Sequence, residues 1–270
     1  MIDTSLPNIL FALSVTTAAG LATALGCLLV VMSKTPNPRL LAFGLAFAGG
    51  AMVYVSLAEI LVKSIDSFTA ATDDRIGFAY GTFAFLAGVL LITVIDHFIP
   101  NPHESLETSD AEILAEQNQD YIKRVGLLTA IAITAHNFPE GLATFFAMLD
   151  SPTLGLPLAL AIAIHNIPEG ISIAIPVYFA THNKFYAFGA ALLSGLAEPV
   201  GALIGFAFLA PFMSDMVFGG VFGVIAGVMV FLALDELLPA AKRYSKGHET
   251  VYGLVGGMGL MALSLVLFRM

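Results

Sequence analysis

The stretch TAHNFPEG, from Thr134 to Gly141, lies inside a long apolar run, and AIHNIPEG, from Ala163 to Gly170, repeats its pattern in the next apolar run. Each stretch places a histidine, an asparagine, a proline and a glutamate among aliphatic residues. Polar groups in such surroundings are costly unless they find partners. The duplicated pattern therefore predicts a functional site in an apolar fold, and the rest of the chain shows which fold that is.

The composition around the two stretches indicates an all-α integral membrane protein. Of the 270 residues, 58% are hydrophobic and 11% are charged, whereas a typical soluble domain is about 25% charged. The length fits one polytopic membrane domain that covers residues 1–270. The net charge of −9 gives no reason to expect a nucleic-acid partner.

Eight apolar runs are long enough to be transmembrane helices, because a helix needs about 20 residues to cross a bilayer. The predicted spans are 5–32, 40–64, 76–99, 124–148, 154–179, 185–210, 215–241 and 251–269. The connections are short except for a polar, acidic loop at about 100–123, between spans three and four. An even number of spans places both termini on the same side of the bilayer.

The basic residues near the ends of the spans predict the orientation. Cytoplasmic ends of spans carry an excess of lysine and arginine. One side of the predicted bundle carries eight basic residues and the other carries three, Lys63, Arg75 and Arg269. The expected location is the plasma (inner) membrane, and this asymmetry predicts that the 100–123 loop lies in the cytoplasm and that both termini are extracytoplasmic. The eight are Lys34, Arg39, Lys123, Arg124, Lys184, Lys242, Arg243 and Lys246.

The repeated stretches lie at equal depth on two antiparallel helices. His136 and His165 are each about 20 Å from the turn near residues 151–152, at 1.5 Å per residue. Glu140 and Glu169 follow their histidines by four positions, so each pair occupies one helix face. We therefore expect these four side chains to converge near the bilayer midplane.

The nature of these side chains predicts the ligand. Asn137 and Asn166 add amide oxygens to the imidazoles and carboxylates. Nitrogen and oxygen ligands together suit zinc, ferrous iron, manganese or cobalt, whereas calcium and magnesium prefer oxygen alone. Ionisable groups in duplicate would be costly at the midplane without an ion to bind.

Other charged residues inside predicted spans extend this picture. Glu198, followed by Pro199, lies near mid-depth in span six and is a candidate third wall of the site; the alternative is a carboxylate that only packs helices together. Two roles stay open for a further set of acidic and histidine side chains, as stations on the path of the ion or as interfacial anchors. This set comprises Glu59, Asp96, His97, Asp235 and Glu236.

Taken together, HNFPEG, HNIPEG, the long loop, SGLAE in span six and DELLP in span seven resemble the ZIP family of zinc and iron transporters, in its bacterial ZupT branch. The resemblance implies a 3+2+3 bundle in which the first and last three helices form an inverted repeat. It also implies uptake of divalent metal into the cytoplasm through a binuclear site. One ion would use His136, Glu140, His165 and Glu169. The other would use Asn137, Glu140, Asn166, Glu169 and Glu198, with the glutamates bridging.

The expected function is therefore metal transport by alternating access, with the lipid bilayer and divalent metal ions as partners. Zinc, ferrous iron, manganese, cobalt and cadmium are all expected cargo, and none acts as a catalytic cofactor. A membrane metalloenzyme is disfavoured because no His-Glu-x-x-His motif is present. A passive channel with the same ligands stays an alternative, and the oligomeric state, a homodimer included, stays open.

Overall fold

The structure is a computed structural model that describes residues 5–32, 38–98, 134, 137–212 and 214–269, and their regular secondary structure is entirely helical. The α-helices are α1 (Leu6–Met32), α2 (Pro38–Val55), α3 (Leu61–Ala71), α4 (Asp74–Phe98), α5 (137–150), α6 (Pro152–Thr181), α7 (Lys184–Leu209), α8 (Asp215–Leu232), α9 (Leu238–Tyr244) and α10 (Glu249–Arg269).

Seven helical runs of the described part are long and apolar enough to cross a membrane. They match seven of the predicted spans, and most of their ends lie within three residues of the prediction. The predicted fourth span, 124–148, lies partly outside the described residues, and its described part is α5. The predicted loop at 100–123 also lies outside them.

The second span is longer than predicted, because it ends at Ala71 rather than at residue 64. Its last turns are amphipathic rather than apolar, so hydropathy alone ends the span too early. They nevertheless pack against α8, where the Ser64 hydroxyl donates a 2.6 Å hydrogen bond to the carbonyl of Gly219. Phe68 is buried in the same interface.

Two spans contain a π-helical segment. Ser56–Ile60 joins α2 to α3, and Ala233–Leu237 joins α8 to α9. Each segment has five residues, with a glutamate in fourth place: Glu59, which is 4% exposed, and Glu236, which is 8% exposed. These two side chains are therefore buried within the protein, whereas His97 is exposed.

The helices form two groups. In one group, α1 packs along both α6 and α7, and α5 packs on α7 through aromatic contacts such as Phe145 with Phe206, whose ring centroids lie 5.5 Å apart. In the other group, α2 packs along α10 and α4 packs along α8. Among the contacts known for the described residues, α2 with α6 is the most extensive between the groups.

Glycines allow the closest approaches between α1 and α7. A Cβ atom on Gly20 would overlap the carbonyl oxygen of Gly195, and a Cβ atom on Gly195 would overlap that of Gly20. Small residues at such crossings let helix backbones touch in membrane proteins. The reciprocal contact fixes the level at which α1 meets α7.

Two further helix pairs use glycine in the same way. Between α2 and α10, Gly257 lies against the carbonyl of Phe47, and Gly50 lies against that of Leu254. Between α4 and α8, Gly88 lies against the carbonyl of Val224, and Gly227 lies against that of Phe85. Each pair thus has at least one glycine on each helix that faces a backbone oxygen of the other.

Candidate metal centre

A tight hairpin brings the two repeated stretches together. Only Ser151 separates the end of α5 from the start of α6. Ser151 has extended backbone angles, and Pro152 follows it in the first helical turn, where a missing N–H is not needed for the helix. The two helices therefore run antiparallel from this point, as predicted, and carry their motifs back to the same level.

Glu140, His165 and Glu169 form the centre of the site. One ligand atom from each lies within 4.8 Å of the others, and all three side chains are buried. The Nε2 atom of His165 is 3.2 Å from Oε1 of Glu140. Two ligands that bind one tetrahedral zinc ion at about 2.0–2.1 Å lie roughly 3.3 Å apart, so this separation suits shared binding of an ion.

Eight polar atoms of the centre and its neighbours are buried without hydrogen-bond partners among the described residues. A buried polar atom without a partner costs about 1–3 kcal/mol. A group of so many such atoms therefore strongly indicates that a ligand binds there. A divalent cation would satisfy them with the nitrogen and oxygen chemistry that it prefers. The atoms are both carboxylate oxygens of Glu140, both ring nitrogens of His165, Oε1 of Glu169, Oε2 of Glu198 and the amide oxygens of Asn137 and Asn166.

Hydrogen bonds fix the orientation of the Asn137 amide. Its Nδ2 donates to the carbonyl oxygen of Ser194 at 3.0 Å and to the hydroxyl oxygen of Ser194 at 3.1 Å. Because a carbonyl can only accept, the nitrogen end of the amide must face it. The Oδ1 atom is therefore left for the site.

The Asn166 amide is held in the same manner by another helix. Its Nδ2 donates to the carbonyl oxygen of Ala19 at 2.9 Å and to Oε1 of Glu198 at 2.5 Å. Glu198 is thus linked to α6 and is fully buried, with Oε2 still unbonded in the described part. The predicted third wall lies beside the two motifs.

Gly141 and Gly170, which follow the two glutamates, let other helices come close to the site. A Cβ atom on Gly141 would overlap the backbone of Glu198, and one on Gly170 would overlap the backbone of Thr23. Helix α7 therefore reaches the site on the α5 side, and α1 reaches it on the α6 side.

Six of the seven predicted ligands are described, and they lie on the facing sides of α5, α6 and α7. The seventh, His136, lies outside the described residues. Sequence reasoning missed Ser194 and the carbonyl of Ala19 as partners of the two amides. The position of Ser194, one helical turn before Glu198, is the only feature of the sequence that indicates its role. No feature of the sequence indicates the role of Ala19.

Comparison with known proteins identifies the family. A family model described as ZIP zinc transporter matches residues 100–265 of the chain. The chain belongs to the ZIP family. The match includes both HN-x-P-E-G stretches and Glu198, so the part that defines the family is the part that holds the buried cluster.

The chain is also similar to curated relatives over nearly its whole length. The chain is 70% identical to the zinc transporter ZupT of Stenotrophomonas maltophilia strain K279a over 97% of both chains. It is 70% identical to ZupT of Xanthomonas axonopodis pv. citri over 100% of this chain and 98% of the relative. It is 64% identical to ZupT of Neisseria meningitidis serogroup B over 100% of both. The resemblance to the ZupT branch is therefore confirmed.

Membership in the ZIP family decides the class of protein. ZIP proteins are membrane transporters and not enzymes, so the metalloenzyme alternative is excluded. With seven described helices able to cross a bilayer, the chain is a multi-pass protein of the plasma membrane.

Proposed function

We propose that this ZIP protein takes up zinc, and with it other divalent transition metals, into the cytoplasm by alternating access. The ion would bind near the bilayer midplane between α5, α6 and α7, where side chains replace its water. It would enter from the extracytoplasmic face and leave inward.

The buried cluster of Glu140, His165 and Glu169 carries this proposal. It lies in a bundle of apolar helices, and five of its six nitrogen and oxygen ligand atoms have no hydrogen-bond partner among the described residues. A purely structural cluster would be expected to satisfy such groups within the protein. Zinc as the main cargo is supported by the relatives, which are zinc transporters.

The donor atoms support a wider range of metals and two ion positions. The cluster has no thiolate, and its imidazole and carboxylates suit ferrous iron, manganese, cobalt and cadmium as well as zinc. The free amide oxygens of Asn137 and Asn166, together with Glu198, would complete the second of two neighbouring ions. Glu140 and Glu169 would then bridge the two.

Paired contacts support an inverted repeat of spans one to three and six to eight. The contact of Gly257 with Phe47 matches that of Gly88 with Val224, and the two π-helical segments occupy matching places in spans two and seven. Gly20 in the first span and Gly195 in the sixth each face the carbonyl oxygen of the other, so exchanging the two repeats leaves this contact unchanged. Inverted repeats around a midplane site are the usual basis of alternating access.

Uptake into proteoliposomes tests the function. Glu140→Gln and Glu169→Gln keep the shape of each side chain but remove its charge. We expect each to lower zinc uptake at limiting zinc by roughly 100-fold or more, because even the outer partners of metal ligands are worth about 10–100-fold in affinity. A zinc-sensitive dye trapped inside the vesicles reports the rate.

Asp150→Asn is the matched control, since Asp150 lies exposed at the end of the same helix α5. Its uptake should equal that of the unaltered protein. Full uptake by the Glu140 and Glu169 variants would refute the proposed site. Rates that rise linearly without saturating would favour the passive channel over alternating access.

A further inference from the structure

Thr23 differs from the threonines that precede it in α1. Thr16 and Thr17 donate their hydroxyls to the carbonyls four residues earlier, at 2.9 Å and 2.7 Å. This back-bond is the usual way for a helical threonine to satisfy its hydroxyl in an apolar setting. Thr23 is fully buried, yet its Oγ1 has no hydrogen-bond partner among the described residues.

The reason lies in the metal centre. The carbonyl four residues before Thr23 is that of Ala19, and this oxygen accepts the amide of Asn166. The backbone of Thr23 lies against Gly170, which follows Glu169, and its Cβ lies close to Gly195, which follows Ser194. Thr23 thus lies between α6 and α7, next to the residues that follow Glu169 and Ser194, and its hydroxyl lacks its ordinary partner.

Thr23 also occupies the place on α1 that Glu198 occupies on α7. Gly141 of α5 lies against the backbone of Glu198, just as Gly170 of α6 lies against that of Thr23. The two motif glycines therefore face equivalent positions on two different helices.

The residues one helical turn before Glu198 and before Thr23 also have equivalent contacts. Asn137 donates to the carbonyl of Ser194, four residues before Glu198, and Asn166 donates to that of Ala19, four residues before Thr23. The reciprocal contact of Gly20 and Gly195 relates the two helices directly. The site is thus enclosed by α1 as well as by α5, α6 and α7, with a hydroxyl where its counterpart is a carboxylate.

We propose that Thr23 is a further residue of the transport site, and that its hydroxyl binds the transported cation through a water molecule that the ion retains. This inference rests on the proposed function and adds α1 to the site. A hydroxyl is shorter than a glutamate side chain, so space for one water is expected beside it. It is also neutral, so it adds affinity without the tight hold that a further carboxylate would give, and a transport site must release its ion.

Thr23→Val tests the proposal, because valine has nearly the same shape and no hydroxyl. A buried hydroxyl without a protein partner adds nothing to stability, so the variant should unfold at the same or a higher temperature. At the same time the KM for zinc uptake should rise by about tenfold, while the maximal rate changes much less. Thr23→Ser, which keeps the hydroxyl, should have the same KM as the unaltered protein.

Thr16→Val is the matched control, since Thr16 is equally buried in α1 but has its back-bond. Its KM should stay unchanged. An unchanged KM for Thr23→Val would overturn the proposal, as would a marked loss of thermal stability, which would show that the hydroxyl has a structural partner. Zinc uptake by the unaltered protein is measured in parallel; if it is absent, the proposed function itself fails, whatever the variants do.

Discussion

At the scale of single residues, the sequence predicts the candidate metal ligands but not the groups that orient them. His-x-x-x-Glu spacing within each motif puts the two ligands on one helix face, and the structure brings Glu140, His165 and Glu169 together. The partners of the amides come from α1 and α7, which are distant in sequence from the asparagines. Such partners depend on how helices pack, and no local pattern encodes them.

Ser194 provides a prediction at this scale. Ser194→Ala removes one of the two acceptors of the Asn137 amide but keeps the backbone carbonyl. The amide then turns more freely, and the lost hydrogen bond of about 1 kcal/mol corresponds to about fivefold weaker zinc binding. Isothermal titration calorimetry on the purified protein measures this affinity.

Ser264→Ala is a suitable control for that measurement. Its hydroxyl also donates to a backbone carbonyl, that of Met261, but it lies in α10, within the other helix group. Zinc affinity should be unaffected. If Ser194→Ala binds zinc as tightly as the unaltered protein, the amide needs no support from Ser194.

At the scale of elements, hydropathy predicts most of the spans but not their irregularities. Apolar length alone places the spans that cross the bilayer. The π-helical segments at Ser56–Ile60 and Ala233–Leu237 have no apolar or glycine signal that separates them from the α-helix on either side. The last turns of the second span were missed because they are polar on one side, although they continue the helix to Ala71.

Helix α10 offers a prediction about packing. Gly257→Ala would force a methyl group into the carbonyl of Phe47 on α2, so α2 and α10 must separate. Overpacking of this kind costs typically about 1–3 kcal/mol. We expect a lower midpoint of thermal unfolding in detergent. The midpoint is measured from the loss of the helical circular dichroism signal or by nanoscale fluorimetry.

Gly259, two residues further on, gives the comparison, because a Cβ atom there meets no other group within 4 Å. Gly259→Ala should leave the unfolding midpoint unchanged or raise it slightly, since alanine favours helix more than glycine does. Equal midpoints for the two variants would mean that α2 and α10 are not held at the contact between Gly257 and Phe47.

At the scale of the whole molecule, the sequence indicates the class of protein and the structure shows how its helices are grouped. Composition and basic residues predict a multi-pass membrane protein and its orientation. The division into one group with α1, α5, α6 and α7 and another with α2, α4, α8 and α10 follows from glycine contacts between distant segments. In the proposed alternating access, movement of one group relative to the other would open the site to each side in turn.

The orientation can be tested with fusions at the C-terminus. Alkaline phosphatase, which is active only outside the cytoplasm, should be active when fused after Met270, and green fluorescent protein at the same place should be dark. A truncation within 100–123 that carries the same reporters should give the reverse result. A bright fluorescent fusion at Met270 would place the C-terminus in the cytoplasm and would invert the proposed direction of uptake.

The two π-helical segments bear on the history of the chain. In a π-helical turn the hydrogen bonds join residues i and i+5, so the turn holds one residue more than an α-helical turn. Insertion of one residue into an α-helix therefore produces such a turn. Both segments carry their glutamate in the same fourth place, one in the second span and the other in the seventh. If the proposed inverted repeat arose by gene duplication, a single insertion in the ancestral three-helix unit would account for both segments, whereas independent insertions would have had to occur at the same turn twice. In that case the π-helical segment would be older than the duplication.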